Sequence, residues 1–420
     1  MKVKFYSGKL QGEISVPTSK SLAHRYLICA ALSKEQSTIC NLDFSDDIDA
    51  TISGLSLLGA TISKKEKVIV NGIKKMNEDL VINCRESGST LRFLVPVSLY
   101  RKNNLNFIGQ KNLPTRPMEP LYRVLREMGI EVIVSNKQLP VKLKGQLKAG
   151  RYQITGKVSS QFLSGLFMAL PLLETDSQLI VSDSLESKAY IDLTINVLKS
   201  FGVTIENKNY QEFFIRGKQK YKNGEFTVEG DYSQAAFWLA AASINGKIDL
   251  LGLNNDSLQG DKMIVEILQK MNASVYFKEN RLIASESALK SQTINLSECP
   301  DLGPILAVVG AYSNGKTILI NGERLKLKES DRLKAITTEL KKAGVNIWET
   351  EDGLIVKGKE SYPGNVALDS WDDHRIAMAL AIFSLRCKEP IIIENFSVIN
   401  KSYPKFLNDF KKLGGKYVIN

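Results

Sequence analysis

NVLKSFGVTIE, residues 196–206, is the stretch from which the fold can be read. An apolar-periodic segment runs into Gly202, and a short β-branched run follows. Glycine just past a helix adopts the left-handed conformation that stops it, so the stretch predicts a helix, a turn at Gly202 and a strand. Five further stretches repeat it: GLSLLGATI (54–62), RVLREMGIEVI (123–133), EILQKMNASVYF (266–277), ELKKAGVNIWE (339–349) and FKKLGGKYVI (410–419). Asn272 stands where the others have glycine, and asparagine is the next best residue for that conformation. With Gly59, Gly129, Gly202, Asn272, Gly344 and Gly414 taken as equivalent, the spacings are 70, 73, 70, 72 and 70 residues. One such junction is expected in any α/β protein. Six in step point to a repeated unit of about 70 residues, outside the usual solenoid periods.

Each unit carries further strand and helix signals, giving a mixed βαβαββ-like module. Six modules in 420 residues suit two domains of three. A crossover between them falls at VEGDYSQAAFWLAAAS (228–243), where Asp231 and Ser233 are helix-capping candidates. No linker is low-complexity or Pro-rich, so any hinge is short.

Composition narrows the function classes. Hydrophobic residues make up 43% and charged residues 24% of the chain, ordinary for a soluble globular protein. No apolar run reaches the roughly 18 to 20 residues that span a bilayer, and the start has no apolar core of a secretory signal. Cys29, Cys40, Cys84, Cys299 and Cys387 are odd in number and form no CxxC pair, which suits reduced thiols in a cytoplasm. The net charge of +11 suits an anionic partner, either nucleic acid or a phosphorylated metabolite, although lysines such as those of SKKEK (63–67) also read as a solvated face. With only two histidines, His24 and His374, a histidine-rich metal centre is excluded. Both stand directly before an arginine.

Five motifs carry chemistry. PTSKSLAHRYLICAAL (17–32) reads as a turn and a helix, with Leu22, Ala23, Tyr26, Leu27 and Ala30 as its apolar stripe. Lys20, Ser21, His24 and Arg25 share the other side, forming either an anion site beside free helix amides or a solvated basic face. RESGSTLRFLVP (85–96) opens a helix at a Gly88-Ser89-Thr90 turn, where glycine lets a ligand approach the backbone. KVSSQFLSGLFMALPLL (157–173) sets Ser159, Ser160 and Gln161 before an apolar helix, with Ser160 either a cap or a phosphate ligand. LKLKESDRLKAITTELKKAG (325–344) places Lys328, Glu329 and Arg332 at a helix start, where Glu329 is a capping carboxylate or a proton-transfer group. DSWDDHRIAMALAIF (369–383) opens a buried helix with Asp373, His374 and Arg375.

A sixth match is a decoy. GAYSNGKT (310–317) fits the GxxxxGK[ST] phosphate-loop pattern letter for letter. That loop needs a strand before it and a helix after it. Here the preceding segment reads as a helix and Thr317 to Asn321 as a strand, so the nucleotide-binding reading is rejected.

SKSLAHR, GSTLR, TRPM, SSQF, SKAYIDLT, KESDRL, DDHR and NKSYPKF occur in the order and spacing of the 5-enolpyruvylshikimate-3-phosphate synthase family, which the chain resembles from about Ser7 onward. The resemblance implies an α/β (α+β) fold: a two-domain inside-out α/β barrel of six βαβαββ-like repeats, three per domain. It implies one domain at 19–228, a second at 1–18 and 229–420, and an active site in the cleft between them. It implies transfer of the enolpyruvyl group of phosphoenolpyruvate to shikimate-3-phosphate, catalysed by Lys20, Asp301 and Glu329. Lys20, Gly88, Arg116, Gln161, Arg332, His374, Arg375 and Lys401 would bind phosphoenolpyruvate. Lys20, Ser21, Arg25, Ser159, Ser160, Gln161, Ser187, Tyr190, Asp301 and Lys328 would bind shikimate-3-phosphate. No metal or organic cofactor is implied, nor any nucleic-acid or membrane partner, and the chain is expected to be a cytoplasmic monomer. Glu86 and Arg324 depart from the family pattern. The sister transferase acting on UDP-N-acetylglucosamine is the main alternative, but its catalytic cysteine loop and Lys-Asn start are missing. A basic nucleic-acid-binding protein would want aromatics interleaved with its basic residues.

Overall fold

Six helices among the described residues are enclosed on nearly every side, and most are apolar nearly all round. They are Lys20–Leu32, Gly88–Ser98, Ser160–Ala169, Tyr232–Asn245, Gly303–Ala311 and His374–Phe383. In the computed structural model, which describes residues 1–135 and 137–420, all six are buried along most of their length. The second helix of each repeat is amphipathic: Glu119–Glu127 buries Leu121, Tyr122, Val124 and Leu125 and turns its charges outward.

Six four-stranded sheets cover these helices. The repeat is plain in Leu80–Asn83, Asn103–Ile108, Glu131–Val134 and Val141–Gly145. The first two strands pair in parallel across a helical connection, and the last two form an antiparallel hairpin whose second strand docks beside Asn103–Ile108. The spatial order is therefore first, second, fourth, third. The strands of 151–215 and of 293–357 repeat that order. Alternating burial, as in Val141–Gly145, leaves one face of the sheet towards the helices and the other outward.

Three repeats differ from a simple 70-residue unit by borrowing a strand. Glu225–Thr227 pairs in parallel with Gln36–Cys40, and Leu10–Ser15 with Gly246–Leu251. Val3–Phe5 lies antiparallel between Ile391–Glu394 and Tyr417–Ile419. The borrowing follows from the chain path, which passes out of one compact unit at 19–20 and back at 228–229. The units are Lys20–Val228, and Met1–Ser19 with Glu229–Asn420. Each has its own hydrophobic core and three sheets around three enclosed helices, an inside-out barrel.

All six predicted stops share one geometry. Gly59, Gly129, Gly202, Asn272, Gly344 and Gly414 have positive φ. At each, the amide of that residue bonds back three residues and the next amide bonds back five, with lengths of 2.9 to 3.1 Å. This is the Schellman arrangement, which satisfies the last free carbonyls of a helix. The decoy also resolves: Gly303–Ala311 is helix and Lys316–Ile320 is strand, so no helix N-terminus follows Lys316.

Candidate active site

The predicted residues fall into two sets, one per unit. In the unit 20–228, Lys20 opens its helix and forms an ion pair with Asp47 at 2.7 Å, both largely buried. His24 and Arg25 are fully buried, which excludes the solvated basic face. The His24 ring meets the Thr51 hydroxyl at 2.8 Å, and Thr51 meets Thr90 at 2.7 Å, tying three helices together. Arg25 donates from Nε to the Thr194 hydroxyl at 2.8 Å and from Nη1 to its own helix at Ser21 O at 2.7 Å. It also reaches Tyr190 O at 3.4 Å, and its guanidinium lies over the Phe93 ring. Burial pulls Arg25 down to about 10, so it remains a cation at neutral pH.

Gly88 is the first residue of its helix rather than part of a separate turn, and Ser87 caps it by accepting from Thr90 N. A Cβ at Gly88 would stand 2.8 Å from Arg116 Nη1, so the bare backbone makes room for that guanidinium. Ser159, not Ser160, caps the next helix by accepting from Gln161 N. Gln161 accepts from Arg92 Nη1 at 2.9 Å and donates to the Ser89 hydroxyl at 2.9 Å, which joins the Gly88 and Ser159 helix starts. Ser187, in the left-handed region at φ 54°, precedes the Lys188–Ser200 helix that carries Tyr190.

In the other unit, Asp301 follows Pro300 in a short 3-10 turn. It accepts from Lys328 at 3.0 Å, Arg332 at 2.8 Å and Arg375 at 3.0 Å. Burial resists its ionisation, but Arg375, Lys328 and Arg332 outweigh that and hold the carboxyl well below the usual range. Arg332 is the hub: Nη1 meets Asp301, Nη2 meets Glu329 at 2.7 Å and Nε meets Asp373 at 2.7 Å. Burial opposes its charge, and Asp373, Glu329 and Asp301 restore it. Lys328 is pulled down to about 8 by burial, against the attraction of Asp301. Glu329 is not a cap; Asp331 caps the Arg332–Lys342 helix by accepting from Lys334 N. Asp373 caps the His374–Phe383 helix through Arg375 N. His374 is buried, its Nδ1 3.9 Å from Asp373. Lys401, also buried, ends the Phe396–Lys401 turn that packs on the same helix.

Sequence reasoning missed Asp47, the partner of Lys20, the bond from Arg92 to Gln161, and the ion pair of Asp373 with Arg332. It also missed Asp261, wholly buried and bonded by the Ser233 hydroxyl. Burial, then repulsion from Asp301, raises its carboxyl to about 6. Among the described residues no group of three or more His, Cys, Asp and Glu could hold a metal ion, and no helix is long and apolar enough to cross a membrane.

Two inside-out units of three repeats, each with cations gathered at helix starts, define the fold class of the enolpyruvyl transferases. The enolpyruvyl transferase NikO from Streptomyces tendae shares this fold, at a TM-score of 0.79 and 17% identity over 99% of this chain and 98% of that one. A solved EPSP synthase from Acinetobacter baumannii matches at a TM-score of 0.82 and 25% identity, with 100% of each chain covered. The sequence profile of EPSP synthase (3-phosphoshikimate 1-carboxyvinyltransferase) matches residues 6–410. A 3-phosphoshikimate 1-carboxyvinyltransferase from Clostridium perfringens is 50% identical, covering 99% of this chain and 98% of that protein. One from Clostridioides difficile is 47% identical over 99% and 98%. The chain belongs to the EPSP synthase family.

Proposed function

We propose that this chain transfers the enolpyruvyl group of phosphoenolpyruvate to the 5-hydroxyl of shikimate-3-phosphate, releasing phosphate through a tetrahedral adduct. The observation that carries the site assignment is the hub at Arg332, which binds Asp301 and Glu329 together within reach of Lys328 and Arg375. The reaction needs two kinds of group at one place. Carboxylates must move protons, and fixed cations must hold the donor's carboxylate and its departing phosphate.

In the first step the acceptor hydroxyl oxygen bonds to C2 of the donor, losing its proton, while the methylene carbon gains one. In the second the methyl group gives up a proton, the C–O bond to phosphate breaks and the double bond returns. Asp301, kept ionised by three cations, is a poor proton carrier and suits orienting the acceptor hydroxyl. Glu329, at the other edge of Arg332, suits the transfer to and from carbon, with Lys20 serving from the other unit. Arg332, Arg375 and Lys401 in one unit, with Gly88, Arg116 and Gln161 in the other, are assigned to the donor. Ser21, Arg25, Ser159, Ser160, Ser187, Tyr190 and Lys328 are assigned to the acceptor. His374, being buried, is assigned to the donor site only through its neighbours. The chain is taken to act as a monomer, because every residue assigned to the donor and the acceptor belongs to this one chain.

The test is release of phosphate from phosphoenolpyruvate. Release that requires shikimate-3-phosphate supports the assignment. Release that requires UDP-N-acetylglucosamine instead transfers it to the sister reaction.

A further inference from the structure

Two adjacent residues, Trp371 and Asp372, stand in the left-handed region at φ 54° and 51°. Neither is glycine. Side-chain-bearing residues rarely adopt that region and persist there only where the surroundings over-determine them. The pair lies directly before Asp373, which caps the His374–Phe383 helix and binds Arg332.

Within the segment Trp371 N donates to the Asp369 carboxylate and Asp373 N to Ser370 O, and the helix that carries Arg332 adds a further restraint. Glu339, wholly buried on that helix, accepts from the Trp371 indole nitrogen at 2.7 Å and from the Asp369 amide at 3.0 Å. Lys342 donates to both of its oxygens, at 2.8 and 2.9 Å. Arg332 and Glu339 are two turns apart and share a helix face. One helix therefore grips the same short segment twice, by a guanidinium at Asp373 and by a carboxylate at Asp369 and Trp371. Packing alone gives no reason for a charge there, since an apolar side chain would fill the space without desolvating an ion.

We propose that Glu339, acting through Trp371, is a positioning residue that fixes the turn from which Asp373 aims Arg332 at the donor, an inference that rests on the assignment of Arg332 above. If the grip is released, residues 371–372 can relax to ordinary conformations. Asp373 then shifts, and the Arg332 guanidinium loses the carboxylate that holds its Nε. Of the acceptor's residues, the serines, Tyr190 and Arg25 belong to the other unit, whereas Lys328 and Asp301 lie beside Arg332.

Trp371→Phe keeps the ring but removes the indole donor. Glu339→Gln keeps the shape but leaves one acceptor oxygen for three donors. Steady-state kinetics on the full chain should show the KM for phosphoenolpyruvate raised about tenfold in both, the KM for shikimate-3-phosphate raised several-fold less and the melting temperature within about 3 °C. Subtracting the emission of Trp371→Phe from that of the unsubstituted chain isolates Trp371 from Trp238 and Trp348. The same subtraction from Glu339→Gln, using the double variant, should show a red-shifted indole. Unchanged KM values for both substrates in Trp371→Phe would overturn the proposal, as would an equal rise in both together with a lower melting temperature. If the unsubstituted chain released no phosphate with these substrates, the assigned reaction would fail first. The indole shift would then still decide the grip, with an unshifted spectrum counting against it.

Discussion

Glu329 and Asp301 share one guanidinium, yet their surroundings separate them. Asp301 meets three cations, whereas Glu329 meets Arg332 at the opposite edge. On the proposed assignment Glu329→Gln keeps the side-chain volume and removes the titrating group. Turnover should fall at least ~100-fold, the usual scale of acid–base catalysis, while calorimetry shows nearly unchanged shikimate-3-phosphate binding. Near-normal turnover would remove Glu329 from the proton path. Gly88→Ala is a different kind of change, because the added methyl meets only the tip of Arg116. That tip can swing away at little cost in stability. The expected result is a raised KM for phosphoenolpyruvate with an almost unaltered melting temperature, and an unchanged KM would detach Arg116 from the donor. Side chains at this scale were only partly legible in the sequence. His24 and Arg25 read equally well as solvent-facing, because one helix's amphipathicity does not reveal that other helices enclose it. Asp47 lies among several carboxylates of DFSDDIDA, and its link to Lys20 crosses between two helices, so no local pattern marks it.

Helix ends were the most legible elements, because their signal is chemical and local. A glycine or asparagine in the left-handed region is required by backbone sterics, whatever surrounds it. Gly344 makes the cleanest test: an added Cβ would meet nothing closer than Pro363 at 3.6 Å, so only the backbone resists. Gly344→Ala should cost about 1–2 kcal/mol, read as a melting temperature lower by roughly 2–4 °C. An unshifted transition would mean that this helix end carries no strain. The starts of the same helices were harder to read. Ser159 rather than Ser160, and Asp331 rather than Glu329, supply the caps, since several polar residues in a row can each fill that place. Lys328, just before one of these starts, gives a pH test. Burial lowers it to about 8, so the ammonium form prevails below that pH and is lost above it. If Lys328 holds the acceptor's phosphate, kcat/KM for shikimate-3-phosphate should fall as pH rises through about 8, and Lys328→Met should flatten that limb. A profile identical in the two proteins would assign the limb to another group.

At the scale of the molecule, the count of six repeats came from spacing alone, but the borrowed strands did not. Val3–Phe5, Leu10–Ser15 and Glu225–Thr227 are short, ordinary strand signals. Their partners are fixed by how each unit closes, a long-range property with no local mark. The division of labour is likewise a property of the whole chain. Lys20 and Gln161 belong to one compact unit and Glu329, Arg332 and Arg375 to the other. Neither set alone supplies Glu329, Lys20 and all the proposed cations for two phosphorylated substrates. If both sets act on one donor and acceptor in one transition state, removing either partner already forfeits most of what the other contributes. Groups that act as a unit are strongly non-additive in kinetics. Lys20→Met and Glu329→Gln should each lower kcat/KM severely, and the double variant should be far more active than the product of the two losses requires. Sites with no shared partner instead combine their free-energy losses to within about 0.5 kcal/mol. Measured additivity at that level would mean that Lys20 and Glu329 serve separate events, and the single-site account would fail even if each residue proved essential by itself.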